Sequence, residues 1–116
     1  MSLPFEQLAE LDRLIHQPAR LAILTALERC VRADFLFIQR LTGLTKGNLS
    51  SHLLKLEEGG LVEIEKEFTG KTPRTVARLT SKGRKAITQY WEQLNDLRES
   101  VRDWEAGSEK PDPDHG

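Results

Sequence analysis

The chain has 116 residues, of which 38% are hydrophobic and 30% charged, and its net charge is −1. This balance predicts one soluble domain, and no window is basic and apolar enough for a signal peptide or apolar enough for a membrane span. The near-neutral total hides a basic segment at 66–85, where seven Lys or Arg residues stand against one Glu, and this local charge of +6 favours a polyanionic partner.

Two amphipathic helices are predicted in the first 31 residues. Residues 4–15 carry apolar side chains three and four positions apart, and Pro4 is tolerated in the first turn. Residues 18–31 begin with Pro18 at the first helical position, where its missing N–H costs nothing. The stripes that we expect to be buried are Phe5, Leu8, Leu11 and Ile15 in the first helix and Leu21, Leu24, Leu27 and Val31 in the second.

A pair of short helices joined by a tight turn follows, which is the pattern of a helix-turn-helix. Asp34 is the expected N-cap of the third helix, and Gly43 suits the left-handed position that ends it. Thr45 is the expected N-cap of the fourth helix, 46–58, which a glycine pair ends. The side chains expected to face inward are Phe35, Ile38 and Leu41 in the third helix and Leu49, Leu53 and Leu56 in the fourth.

A β-hairpin is predicted at 61–79, because the apolar period changes there from 3.6 to 2. Val62, Ile64 and Phe68 alternate with three glutamates, which indicates a half-buried strand. The stretch "TGKTPR" predicts a turn, and 75–79 a short return strand. The glutamates either form a solvated face or pair with Arg78 across the hairpin.

A long helix is predicted at 82–104, followed by an acidic tail at 105–116 without apolar anchors, which we expect to be disordered. The apolar residues of the helix 82–104 repeat every 3.5 positions, which is typical of a coiled-coil seam. The fold class is therefore mainly α with a small β-hairpin (α+β), a winged helix-turn-helix with a long C-terminal dimerisation helix in a single domain, 1–104.

The fourth helix combines its leucine stripe with short polar side chains, which suits a helix that enters the DNA major groove. Gly47 adds no bulk that would hold the helix away from the base edges. An ordinary surface helix is the alternative, but a basic hairpin directly after the helix disfavours it. The predicted DNA-binding residues are Lys46, Gly47, Asn48, Ser50, Ser51, His52 and Lys55 in the helix and Lys71, Arg74 and Arg78 in the hairpin.

Three segments carry a resemblance to a known family: "LIHQPARLAILTAL", "DFLFIQRLTGLTKGNLSSHLLKLEEGGLVEIEKEF" and "GKTPRTVARLTSKGRKAI". They resemble the winged-helix transcriptional regulators of the ArsR/MarR-like class, and most of all its short, single-domain members. The resemblance implies a homodimer that binds operator DNA and represses or activates transcription. It places at the DNA Lys46, Gly47, Asn48, Ser51 and His52 of the helix and Lys71 and Arg74 of the wing.

The apolar seam of the long helix needs a partner, and we expect pairing with the same helix of a second copy, with 4–15 alongside. Packing of 82–104 against 4–15 within one chain is the alternative. Twofold symmetry predicts a palindromic site, with recognition helices about 34 Å apart. The predicted dimer interface comprises Phe5, Leu8, Tyr90, Leu94, Leu97, Val101 and Trp104.

Other chemistry is not indicated. Cys30 is the single cysteine, so no intrachain disulfide forms and a reducing cytoplasm is the natural setting; a buried apolar role is expected for it rather than redox sensing. No metal set, cofactor loop or catalytic arrangement is present, so we expect neither a metal, a cofactor nor an enzyme. No small-molecule effector can be named. The competing function is a winged-helix protein-interaction module whose basic wing docks an acidic partner.

Overall fold

The computed structural model describes residues 13–104, with side chains up to residue 102. Within these residues, four helices and three strands follow one another. They are α1 (Pro18–Glu28), β1 (Ala33–Asp34), α2 (Phe35–Thr42), α3 (Lys46–Glu58), β2 (Val62–Thr69), β3 (Thr72–Leu79) and α4 (Ser81–Trp104). The predicted helix at 4–15 and the predicted tail at 105–116 lie outside the described residues. Among the described helices, none is long and apolar enough to cross a membrane.

Helix α1 is three residues shorter than predicted. Its end is marked by Arg29 and Cys30, whose N–H groups donate to the carbonyls of Ala26 and Leu27. The chain then straightens into β1, so Val31 leaves the helical register and is 91% exposed, not buried as predicted. The rest of the predicted α1 stripe is confirmed, since Leu24 and Leu27 are buried and Leu21 packs at the edge of the core.

The helix-turn-helix is capped as predicted. Asp34 accepts a hydrogen bond from the N–H of Phe37 (2.7 Å), and Thr45 accepts one from the N–H of Asn48 (3.2 Å). Gly43 ends α2 with a φ of 71°, in the left-handed region that glycine adopts without strain. These caps supply partners for N–H groups that a helix leaves unpaired at its start.

Leu41 is 57% exposed, so its predicted inward position is wrong. Three residues of an α-helix turn through about 300°, so each step of three drifts by about 60°. Two such steps carry Leu41 away from the face that Phe35 and Ile38 bury. Thr42 lies seven residues after Phe35 and occupies that face instead, with its hydroxyl donating to the carbonyl of Ile38 (2.7 Å).

The wing is a three-stranded antiparallel sheet in the order β1-β3-β2. Strand β3 begins at Thr72, three residues earlier than predicted, and β2 ends at Thr69, one residue into the predicted turn. The two residues Gly70-Lys71 join the strands, and Gly70 has a φ of 65°. Strand β1 was not predicted; Ala33 pairs with Ala77 of β3. Phe68 is 70% exposed, contrary to the prediction, because the hairpin tip extends past the last core residue beneath it.

Helix α4 approaches the start of β2 at Gly83. The hydroxyl of Thr80 accepts from the N–H of Gly83 (2.9 Å), and the N–H of Thr80 donates to the carbonyl of Leu61 (3.0 Å). A Cβ on Gly83 would overlap that Leu61 carbonyl oxygen. The core that these elements enclose is apolar throughout: Ile15, Ile23, Leu24, Leu27, Ala33, Ile38, Leu49, Leu53, Leu56, Leu61, Val62, Ala77, Ile87 and Tyr90.

Candidate nucleic-acid interface

Helix α3 separates its two kinds of side chain onto opposite sides. Leu49, Leu53 and Leu56 are fully buried in the core, as the leucine stripe predicts. The polar side lies in solvent, with Lys46, Gly47, Asn48, Ser50, Ser51 and Lys55 all exposed. His52 differs, since it is half-buried. A row of polar groups, with the half-exposed Leu54 beside it, is thus available to a groove as wide as the major groove.

Internal packing does not require a residue as small as glycine at position 47. A Cβ built on it meets no described atom within 4 Å. Its backbone is ordinary helix, so alanine would be preferred there by helix propensity alone. The glycine therefore leaves open space on the outward side of the first turn of α3.

The two wing arginines that are predicted to bind DNA lie at different places on β3. Arg74 lies near the tip and forms an ion pair with Asp34 (3.3 Å). Arg78 lies nearer the base of β3, where its Nε donates to Glu63 (2.8 Å) and its terminal nitrogen lies 3.3 Å from Glu65. These carboxylates raise the pKa of Arg78 above its already high usual value. Of the two alternatives left open for the glutamate row, pairing with Arg78 holds for Glu63 and Glu65, whose side chains also stay about half-exposed.

The outer face of the sheet is a mixed charged layer. Residues two apart on a strand share a face, so the glutamates of β2 and the arginines of β3 lie side by side. Arg32, just before β1, also pairs with Glu67 of β2. This layer includes Asp34 and Arg32. Asp34 was predicted only as an N-cap and Arg32 was not predicted at all, because strand β1 was not predicted.

A cleft of ≈ 670 Å³ runs between α3 and the wing. Its walls include Lys46, Ser50 and Leu54 from α3, and Asp34 and Arg74 from the sheet. The structure therefore brings Lys46 and Arg74, which are 28 positions apart in sequence, to opposite sides of one depression. Arg74 is paired with Asp34, which lines the same cleft. A phosphate that passes between helix and wing would therefore meet Lys46 directly and would compete with Asp34 for Arg74.

The side of α3 nearer to α1 carries a contact that sequence reasoning did not find. Arg20 of α1 donates from Nε to Nδ1 of His52 (3.3 Å) and from Nη1 to the carbonyl of Leu14 (3.2 Å). The two residues are 32 positions apart, and no local pattern in the sequence joins them.

The predicted dimer residues on α4 divide into two groups. Tyr90 is only 4% exposed and belongs to the core of its own chain, so its assignment to the dimer interface is corrected. Burial raises the pKa of its hydroxyl, which lies 3.1 Å from Nδ1 of His16. Further along, Leu94 and Leu97 are half-buried and Val101 is 50% exposed. Phe5, Leu8 and the side chain of Trp104 lie outside the described residues.

The part of the chain that the structure describes contains no group of three His, Cys, Asp or Glu side chains able to hold a metal ion. Cys30 is half-buried and packs against the core, in keeping with an apolar role.

A capped helix-turn-helix, an exposed polar face on its second helix and an adjoining basic hairpin define the class of winged-helix DNA-binding proteins. Comparison with known sequences identifies the family as well. The sequence profile of the Winged helix DNA-binding domain matches residues 19–97, and the chain belongs to that family.

Individual relatives agree with this assignment. An uncharacterized protein of Methanocaldococcus jannaschii is 37% identical over 81 residues, which cover 70% of this chain and 85% of that protein. A transcriptional regulator homologue from Pyrococcus horikoshii OT3 is similar in structure, with 33% identity, a TM-score of 0.78, and coverage of 83% of this chain and 97% of that one.

A MarR-family regulator from Enterococcus faecalis V583 shares the fold at 21% identity, with a TM-score of 0.66 and coverage of 93% and 96%. The predicted winged-helix class is confirmed by the family match, and the Enterococcus protein shows the same fold. The Pyrococcus and Enterococcus proteins carry the names of transcriptional regulators, which agrees with the prediction that the chain is not an enzyme.

Proposed function

We propose that the protein is a homodimeric, sequence-specific regulator of transcription that represses genes by occupying a palindromic operator. The observation that carries the proposal is the outward face of α3, whose short polar side chains are exposed while its leucines are fixed in the core. A rigid helix presented in this way matches the width of the major groove.

Each part of the interface has a separate role in the proposal. Asn48 and Ser51 contact base edges, with Asn48 suited to adenine, which offers one donor and one acceptor in the groove. Lys46, Ser50 and Lys55 contact phosphate or guanine. The wing residues Lys71, Arg74 and Arg78 bind the backbone and the adjacent minor groove, where a narrow groove attracts arginine.

The second half of α4 supports the dimer. Trp91 and Val101 expose apolar surface beside the half-buried Leu94 and Leu97. Burying this surface against the same helix of a second copy removes it from water, which is favourable by roughly 25 cal/mol per Å² of apolar area. Twofold pairing then sets the two recognition helices about one DNA turn apart. A cytoplasmic location is part of the same proposal, because the protein would act on operator DNA there.

The dimer is tested by sedimentation equilibrium. We expect the parent protein to have twice the mass of one chain, and Val101→Asp to shift the equilibrium towards monomer because it introduces a charge into the apolar seam. Val31→Asp is the matched control, since Val31 is highly exposed and lies outside α4. A monomeric parent, or equal dissociation in both variants, contradicts the dimer.

DNA binding is tested by selecting bound duplexes from a random pool and measuring affinity at several salt concentrations. Asn48→Ala is expected to cost about 1–3 kcal/mol on the selected site and to relax preference at one base position. Arg74→Ala is expected to weaken binding to all duplexes alike and to reduce the salt dependence by about one phosphate.

Arg29→Ala is the matched charge control, because Arg29 lies exposed at the far end of α1. Wild-type affinity in both test variants would refute the site assignment. No retention of any duplex at low salt would refute DNA binding and favour the protein-interaction module.

A further inference from the structure

His52 is the one predicted DNA-binding residue of α3 that another helix holds in place. The Nε of Arg20 donates to its Nδ1 across 3.3 Å. The guanidinium is itself fixed at a second point, since Nη1 donates to the carbonyl oxygen of Leu14. Both side chains are half-buried, whereas the neighbouring polar residues of α3 are exposed. The imidazole ring is thus oriented before any ligand arrives.

The chemistry of these two groups allows one neutral form of the ring. A guanidinium offers only N–H donors and cannot accept a hydrogen bond. Nδ1 of His52 must therefore present its lone pair, and in a neutral imidazole the proton then lies on Nε2. Within residues 13–104, Nε2 has no hydrogen-bond partner. The contact leaves one free donor, and no free acceptor, on the ring of His52.

We infer that Arg20 is a positioning residue for DNA recognition: it holds His52 as an Nε2–H donor, so that His52 selects a hydrogen-bond acceptor on the DNA. The inference rests on the proposed function. Purine N7, guanine O6 and thymine O4 are such acceptors in the major groove, and a phosphate oxygen has the same chemistry. Cytosine offers only an amino donor there and is disfavoured.

Removal of Arg20 frees the ring to adopt either tautomer. A ring with Nδ1–H would turn an acceptor towards the DNA and so tolerate a donor such as the cytosine or adenine amino group. The expected consequence is lost discrimination at one position of the site rather than a general loss of affinity.

The tautomer is measured on the free protein by ¹⁵N NMR of the His52 ring at about pH 8, where an ordinary imidazole is neutral. We expect Nδ1 to give the signal of an unprotonated nitrogen in the parent and in Arg29→Met. In Arg20→Met, which keeps an apolar stem of similar length, we expect mixed tautomers with an unchanged circular dichroism spectrum. A parent protein with a protonated Nδ1, or an Arg20→Met spectrum identical to the parent, overturns the inference.

DNA recognition is measured as a double-mutant cycle with Arg20→Met and His52→Ala on the selected duplex and its single-base variants. We expect each single variant to lose about tenfold in discrimination at one shared position, which is the order that one base contact supplies, and the double variant to lose no more than His52→Ala. Arg20→Lys, which keeps a donor, should recover part of the loss.

The pattern of lost affinity across the duplexes identifies the DNA atom that accepts the hydrogen bond from His52. A loss at one position that 7-deazapurine substitution reproduces assigns it to a purine N7, whereas an equal loss on all duplexes assigns it to a phosphate. Additive losses overturn the inference, because Arg20 would then act independently of His52. A parent that binds no duplex refutes the proposed function itself, whereas a parent that binds with the wrong tautomer refutes only the role of Arg20.

Discussion

Gly83→Ala tests the closest approach between helix α4 and the rest of the domain. A methyl group at this position would overlap the carbonyl oxygen of Leu61 and lie 2.8 Å from its carbonyl carbon. Carbon atoms pack favourably at about 3.5–4.0 Å, so the helix start must move by about 1 Å. That carbonyl also accepts the N–H of Thr80, which in turn caps the helix, so the movement strains two hydrogen bonds as well.

The expected change in stability combines two unfavourable contributions with one favourable contribution. Overpacking against a backbone group costs about 1–3 kcal/mol. Weakening of the Thr80 cap adds up to about 1 kcal/mol. Alanine gains about 1 kcal/mol over glycine in a helix. We therefore expect Gly83→Ala to lower the free energy of unfolding by about 2 kcal/mol.

Gly47→Ala is the matched control, because the same added methyl group meets no described atom within 4 Å. We expect it to leave stability unchanged or to raise it by up to about 1 kcal/mol. Its DNA affinity should nevertheless fall, since the methyl group projects from the proposed groove-facing side. The assay is urea unfolding at one fixed protein concentration, which keeps any dimer contribution constant. Equal stability of the two variants would refute the reasoning.

Two further predictions concern Asp34 and Tyr90. Asp34→Asn keeps the cap on α2 and loses the half-exposed ion pair with Arg74, so we expect at most about 1 kcal/mol of destabilisation and tighter DNA binding at low salt. Asp34→Ala also loses the cap and should cost about 1 kcal/mol more in urea unfolding. An equal loss of stability in both variants contradicts the cap. For Tyr90, burial raises the pKa of the folded state, so above about pH 10 the unfolded chain releases the proton first and stability falls as pH rises. Urea midpoints from about pH 9 to 11 should show this fall in the parent and less of it in Tyr90→Phe, and a fall of the same size in both proteins rules out the hydroxyl.

Local signals predicted the helix-turn-helix well because its boundaries depend on single residues. Asp34, Gly43 and Thr45 each act within three or four residues of their own position, so their roles can be seen in the sequence. The same holds for the leucines of α3, whose spacing matches the helical repeat. The outward polar face follows from this inward stripe and needs no knowledge of the remaining fold.

The parts that were missed depend on contacts distant in sequence. Strand β1 has two residues, too few for any periodicity, and exists because Ala33 meets Ala77 of β3. Tyr90 fits the heptad repeat, yet the folded chain places it beside His16, 74 positions away. The link between Arg20 and His52 likewise joins separate helices. Such pairs are determined by tertiary packing, which periodicity does not encode.

The basic segment at 66–85 illustrates how structure changes the meaning of charge. Four of its seven cations already have partners within the chain. Arg74 and Arg78 pair with carboxylates, while Lys82 and Arg84 donate to the backbone carbonyls of Gly59 and Glu28. The other three are without a hydrogen bond or ion pair among the described residues: Lys66, Lys71 and Lys85.

The steepness of salt-dependent binding therefore reports whether the wing arginines exchange their carboxylates for phosphates. The slope of log affinity against log salt grows by about 0.9 for each phosphate that the protein neutralises. If Arg78 stays with Glu63, Arg78→Ala leaves that slope unchanged. If Arg78 moves to a phosphate in the complex, Arg78→Ala reduces the magnitude of that slope by about one unit. The glutamates that Arg78 leaves then repel the DNA. This repulsion acts on the phosphates of every duplex alike, so the acidic row would lower affinity without changing the preference between base sequences.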